Sequence, residues 1–217
     1  MGSKKTPKLI PGSAPNLEAQ VQFVLRYHQI RDLRTIDSGI VQLFGDGVHL
    51  VHQTIPKACW CDPKKLPIFP SNSSRQRLNT FGAYDPIEQR FIHLTGEDNC
   101  DHQKVIAFFE KVIEAYPDKH SIVLYLDNAP YFHAKEVTQW LLQHPQLLVE
   151  HLPTYSPNLN LIERLWAFVK GQLVANRYYQ KYKTFRAKTF QLLNHLDHYN
   201  ECLKTLISEN FELIWQI

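Results

Sequence analysis

Cysteine is scarce and irregular in this chain. Cys59, Cys61, Cys100 and Cys202 are the only four in 217 residues. Such spacing does not make a disulfide framework and suits a reducing compartment. No stretch approaches the roughly 18 consecutive apolar residues of a membrane span, and nothing at the start reads as a signal peptide. A soluble cytoplasmic protein with no membrane partner is therefore expected. Cys59-Trp60-Cys61 and the eleven histidines contain no CxxC pair and no histidine partner at the usual ligand spacing, so a structural zinc is not expected. Repeats and low-complexity tracts are also missing. The net charge of +3 is mild, and the placement of charge matters more than its sum. With 44% hydrophobic and 21% charged residues, the chain has the composition of a globular protein able to bury a substantial core.

Residues 1–16 are rich in Lys, Pro, Gly and Ser and read as a linker. A helix is expected from residue 17 to about 25, with Asn16 as its N-cap. Two strand-like runs follow, residues 40–44 and 48–54, separated by Gly45-Asp46-Gly47. They form a hairpin or a strand pair with Asp46 near the end of the first run. Residues 55–76 carry Pro56, Pro63, Pro67 and Pro70 with Lys57, Lys64, Lys65 and Arg75, a long basic loop of the kind that is functional or disordered. Strands resume at 78–84 and 90–95, and a helix is expected over 104–116. The apolar run Ile122-Val123-Leu124-Tyr125-Leu126 reads as a buried strand delivering Asp127 to its end. A helix over about 133–143, a strand at 147–151, a helix carrying Leu159, Ile162, Trp166, Val169 and Leu173, and one or two further helices complete the chain. Strands first and then alternation imply an α/β protein whose mixed sheet has an antiparallel edge and parallel additions. Three segments are expected: a linker and short helix (1–36), a central α/β unit (37–175), and a basic helical extension packed on it (176–217).

Three acids stand out, and each has a modest explanation. Asp127 before Asn128 suits an Asx turn, and Asp46 between glycines suits a hairpin corner. Glu163, three residues after Asn160, has the spacing of a helix capping box. Jointly they are harder to dismiss, because two acids end apolar strands and a third rides a helix that returns to the same sheet edge. Carboxylates converging there repel unless a cation neutralises them. Hard oxygen ligands favour Mg²⁺ or Mn²⁺, and two such ions suit in-line phosphodiester displacement. A glycosidase pair fits three acids in a basic surround poorly.

Phe44-Gly45-Asp46, then Leu126-Asp127-Asn128-Ala129-Pro130 with His133, then residues 155–163 (Tyr-Ser-Pro-Asn-Leu-Asn-Leu-Ile-Glu) with Trp166, resemble the DDE transposases of the mariner superfamily, in the branch found in bacterial insertion sequences. Trp60, the segment 70–79 and Gly82-Ala83-Tyr84-Asp85-Pro86 support the resemblance. It covers about residues 16–170. It implies an RNase H-like fold with a mixed five-stranded sheet flanked by helices, and Asp46, Asp127 and Glu163 as catalytic metal ligands. Asp46 would bridge two Mg²⁺ ions, for which Mn²⁺ may substitute. It also implies cleavage at transposon ends, strand transfer into target DNA at TA sites, and a homodimer. Where the family commonly carries Glu after its first Asp, this chain has Gly47. Helix-turn-helix modules ahead of the catalytic domain are not seen, so the chain resembles a catalytic half served by a separately encoded helix-turn-helix subunit. An RNase H-like nuclease without strand transfer and a repurposed DNA-binding protein are the alternatives.

Between residues 164 and 196 lie seven basic residues and no acid: Arg164, Lys170, Arg177, Lys181, Lys183, Arg186 and Lys188. Tyr178, Tyr179, Tyr182 and Phe185 are interleaved with them. Phosphate contacts with base stacking would make this a DNA-binding stripe; a solvated helix face with core aromatics is the plainer alternative. Arg75 and Arg77, with Lys64 and Lys65, form a second candidate patch, and His133 and Asn160 are further candidates for DNA contact.

Overall fold

In a computed structural model, residues 16–62, 64–73 and 75–213 are described. Five strands form one mixed sheet: β1 (Ile40–Val51), β2 (Arg77–Asp85), β3 (Arg90–Gly96), β4 (Ser121–Leu126) and β5 (Leu147–His151), in the order β3-β2-β1-β4-β5. β1 pairs antiparallel with β2 and parallel with β4, and β5 adds parallel to β4. The parallel steps are made through α2 (His102–Ala115) and α3 (Lys135–Leu142). α1 (Leu17–Ile36), α4 (Ile162–Leu173), α5 (Tyr182–Asn194) and α6 (Asn200–Leu206) complete the fold.

The pleat decides which helices cover which face. Val41 and Leu43 of β1 and Ile122, Leu124 and Leu126 of β4 pack with Phe108, Phe109 and Val112 of α2. Phe44, Val48, Val123 and Tyr125 point the other way, into a core with Tyr27, Leu165, Trp166, Phe185 and Leu203. Both sides of β1 and β4 are thus buried, which is why β4 reads as a continuous apolar run. The basic extension shares this second core through Phe185, Leu193, Leu203 and Ile207.

Two expectations change. The first helix is not short. Asn16 caps it as expected, its Oδ1 accepting from the Ala19 amide at 3.1 Å, but α1 runs 20 residues to Ile36 and buries Tyr27 against the sheet. Nor is Gly45-Asp46-Gly47 a turn. β1 runs straight through it for 12 residues. The glycines serve close packing: a Cβ at Gly45 would lie 2.6 Å from Leu126 Cδ2, and one at Gly47 would lie 2.8 Å from the Tyr131 hydroxyl. The linker read in residues 1–16 lies, up to residue 15, outside the described residues.

The long loop between β1 and β2 is pinned at both ends. Asn176, at φ 54°, accepts from the Lys57 amide and donates to its carbonyl, both at 2.9 Å. Asn72 donates to the Tyr179 carbonyl at 2.9 Å. Among the described residues no helix is long and apolar enough to cross a membrane.

One buried ion pair locks α1 to the β2–β3 turn. Arg34 donates to both oxygens of Asp85, at 3.1 and 2.7 Å, and to Glu88 at 2.9 Å. Asp85 also accepts the turn amides of Ile87 and Glu88. With Asp85 fully buried, Arg34→Met leaves a charge without its partner, and urea unfolding should register a loss of about 3–5 kcal/mol. A loss under about 1 kcal/mol, the worth of a surface pair, would contradict this role.

Candidate active site

Strand register brings the first two acids together. Phe44 of β1 lies beside Tyr125 of β4 in the parallel pair. Two residues further along each strand direction come Asp46 and Asp127, on the face that Phe44 and Tyr125 also share. α4 crosses that face. Its Trp166 packs in the same core, and Glu163 lies one turn earlier on the same helix flank. Elements distant in the chain therefore aim carboxylates at one end of the sheet, where open α/β sheets place ligands.

Their surroundings differ. Asp46 is 8% exposed and accepts its neighbour Gly47's amide at 2.7 Å. Burial, and then the charges of Glu163 and Asp127, push its carboxyl up to about 7, against the Gly47 amide and the Trp166 indole, which favour the ionised form. That indole N–H is buried and has no hydrogen bond of ordinary geometry, so its help is through proximity. Glu163 is exposed at the pocket rim, yet its carboxyl is also raised, by desolvation first and by Asp127, while Lys170 opposes. Asp127 is half-buried and accepts from the Ala129 amide at 3.2 Å, so the Asx turn is real but occupies only one of its oxygens. The acids feel one another's charge, yet no choice of one carboxylate oxygen from each puts all three within 4.8 Å of one another.

Asn160 is not a helix cap. Its side chain makes no capping bond to α4; Nδ2 donates instead to the Gly45 carbonyl at 3.1 Å, next to Asp46. Its Oδ1 is buried without a partner. A pocket of about 390 Å³ is lined by Asp127, Asn128, Tyr155, Ser156, Asn160 and Glu163, among others. Three carboxylates with Lys170 as the cation acting on Glu163, beside an unsatisfied carbonyl oxygen, form a hard-oxygen donor set, and a Mg²⁺-class cation fits it.

Several supporting residues were not singled out for these roles in the sequence. His151 donates through Nδ1 to the Asp127 carbonyl at 3.0 Å, and its ring stacks on His133 at 4.2 Å. Asn128 donates to the Leu152 carbonyl at 2.8 Å, fixing the turn after Asp127. Gly82 stands opposite Asp46 on β2, and a Cβ there would meet Trp166 Cη2 at 2.6 Å, so glycine lets the indole lie against the strand. Local sequence gives no signal for these cross-chain contacts beyond the residue types.

The basic residues divide. Arg75, Arg77, Arg177, Lys181, Lys183 and His133 are exposed, and Lys170 is half-buried near Glu163. Arg164 faces the C-terminal segment, donating to the carbonyls of Ser208 at 2.6 Å and Asn210 at 2.7 Å. Asn160 is 4% exposed. Burial in one case and two backbone bonds in the other direct these two side chains inward, a correction to their reading as DNA contacts. The aromatic half of the stripe is corrected too. Phe185 is buried in the core, and the hydroxyls of Tyr179 and Tyr182 donate to the carbonyls of Leu173 and Arg77, which leaves Tyr178 exposed.

The raised Asp46 carboxyl has a consequence for stability. Folded chain holds this proton up to about pH 7, while an unfolded Asp releases it near pH 4. Across that window the folded state binds more protons, so stability falls as pH rises. Asp46→Asn, measured in chelator, should remove this fall and be more stable than the parent at pH 8 by roughly 2–4 kcal/mol. Parallel stability curves from pH 4 to 8 would contradict the assignment.

Comparison with known proteins bears on the family and on the fold. The family description "DDE superfamily endonuclease" matches residues 42–186. The Shigella sonnei insertion element IS630 uncharacterized 39 kDa protein is 27% identical over 96 residues, which are 44% of this chain and 26% of that protein. The mariner Mos1 paired end complex with Mg superposes with a TM-score of 0.67 at 17% identity, over 95% of this chain and 63% of its own. The Mos1 transposase catalytic domain with Raltegravir and Mn gives 0.55 at 14% identity, over 95% and 100%. These structural likenesses carry the RNase H-like fold.

Proposed function

The chain belongs to the DDE superfamily of endonucleases, and from that premise we propose that it is a transposase catalytic domain that cuts and joins DNA with Asp46, Asp127 and Glu163. The observation that carries the reading is the shared field of these acids: Asp46, just past the end of its parallel pairing with β4, is raised first by burial and then by the charges of both Glu163 and Asp127. Because the match spans about a quarter of the IS630 relative, the activity, substrates and partners of a whole transposase are part of the proposal.

Asp46, Asp127 and Glu163 would hold two Mg²⁺ ions, or Mn²⁺ in their place. Bound there, the ions would supply Lewis-acid stabilisation of the charge that builds on the phosphate. The chain's own residues do the rest. Gly47's amide and the Trp166 indole favour ionised Asp46. Asn160 fixes the backbone beside it. His151 holds the Asp127 carbonyl. Water attacks a phosphodiester at the element end, and the bond to the leaving oxygen breaks to free a 3′-hydroxyl. That hydroxyl then attacks a target-strand phosphodiester, expelling the target's own 3′-oxygen. Arg75, Arg77, Arg177, Lys181 and Lys183, all exposed, are the proposed phosphate contacts, with Lys170 and His133 nearer the acids. Two ends must be handled together, which favours a homodimer, with end recognition supplied by a helix-turn-helix subunit encoded separately. A protein that works on DNA in this way would act in the bacterial cytoplasm.

Mg²⁺-dependent nicking of supercoiled plasmid tests this. Asp127→Asn should lower the nicking rate about a hundredfold or more, since even supporting groups at metal sites are worth roughly 10–100-fold. A joined product with a labelled 3′-hydroxyl oligonucleotide identifies strand transfer. Undiminished nicking in the variant would overturn the site.

A further inference from the structure

A second ligand cluster lies away from the three acids. His195 is the C-cap of α5, and a short 3₁₀ turn, Leu196–Tyr199, follows it. Three residues per turn place His195 and His198 over one another, with their rings stacked at 5.3 Å and 17°. One ligand atom from each of His195, Asp197 and His198 lies within 4.8 Å of the others, the one such trio among the described residues. All are exposed, and among the described residues no hydrogen bond or ion pair occupies their side chains. Buried Leu196 and the packing of Tyr199 on Phe168 anchor the turn to the core. The cluster therefore sits on a fixed base.

We propose that His195, Asp197 and His198 form a surface site for a divalent transition metal of the zinc class, separate from the catalytic acids. Tetrahedral zinc with bonds of about 2.0–2.1 Å needs ligand atoms roughly 3.3 Å apart. Rotation of these exposed side chains would have to close the remaining gap, leaving the fourth position open to water. Ligand chemistry sets the choice of metal. Two imidazoles and one carboxylate suit zinc, nickel or copper and suit Mg²⁺ poorly. Arg177 and Lys188 line the same cavity as the two histidines, and their charge opposes a cation held by electrostatics alone. Covalent preference for imidazole nitrogen overcomes such opposition where a hard ion does not. Bound metal would tie the end of α5 to the turn leading into α6.

ZnCl₂ is titrated calorimetrically into the chelator-treated, reduced full chain, into His195→Ala/His198→Ala, and into Asp46→Asn/Asp127→Asn. The wild type should take up one equivalent more than the histidine variant, and the acid variant should keep that equivalent. Asp197→Asn retains both imidazoles and should bind it roughly 10–100-fold more weakly. Zinc should also raise Tm in the wild type more than in the histidine variant, and shift the imidazole NMR signals of His195 and His198. Equal zinc stoichiometry in wild type and histidine variant, or unshifted signals for these two rings after one equivalent, would overturn the proposal.

Discussion

Repulsion between carboxylates at one end of the β1–β4 pair is the constraint on which the rest depends. Adjacent strands lie about 5 Å apart, and at an effective dielectric near 20 two ionised groups at that spacing repel by roughly 3 kcal/mol. The parallel register, set by Phe44 against Tyr125 and by apolar residues alternating to both faces, admits no slip. A one-residue shift would turn every buried side chain of β1 to the wrong face. The core thus buries Asp46 and holds like charges near it, and burial first, then those charges, keep its proton on to about pH 7.

Much of the remaining architecture serves to keep that arrangement rigid. Trp166 lies against β2 because Gly82 has no Cβ to exclude it, and its indole faces Asp46. Asn160 reaches from the segment before α4 to the carbonyl of Gly45, so the segment leading into the helix that bears Glu163 is bonded directly to the strand that bears Asp46. The C-terminal segment closes over the same side: Arg164 holds the carbonyls of Ser208 and Asn210, and Tyr27 donates to Glu209 at 2.6 Å. A mixed sheet with helices on both faces supplies the rigidity that a site built from distant residues requires.

Legibility in the sequence followed the range of the interaction. The β4 run and its terminal Asp127 were readable because a strand buried on both faces announces itself in five consecutive residues. The α4 helix was readable from its apolar spacing, and the motif ending in Glu163 from resemblance. Around Gly45-Asp46-Gly47 the local signal is that of a turn, whereas the glycines in β1 serve to admit Leu126 and Tyr131 from elsewhere. Asn160 and Glu163 had capping-box spacing, yet the partner of Asn160 lies 115 residues away. Likewise, Tyr179, Tyr182 and Phe185 looked available for stacking until the second core claimed them. His195-Leu196-Asp197-His198 was open to view, but a search for paired, widely spaced zinc ligands passes over a cluster made within one 3₁₀ turn.

The central claim is that Asp46, Asp127 and Glu163 act as one cation-binding unit. Anomalous diffraction from crystals soaked in Mn²⁺ tests it most directly. Manganese density within about 2.0–2.3 Å of oxygens from all three side chains is the predicted result. Density that engages only one of them, or none at saturating Mn²⁺, would contradict the account.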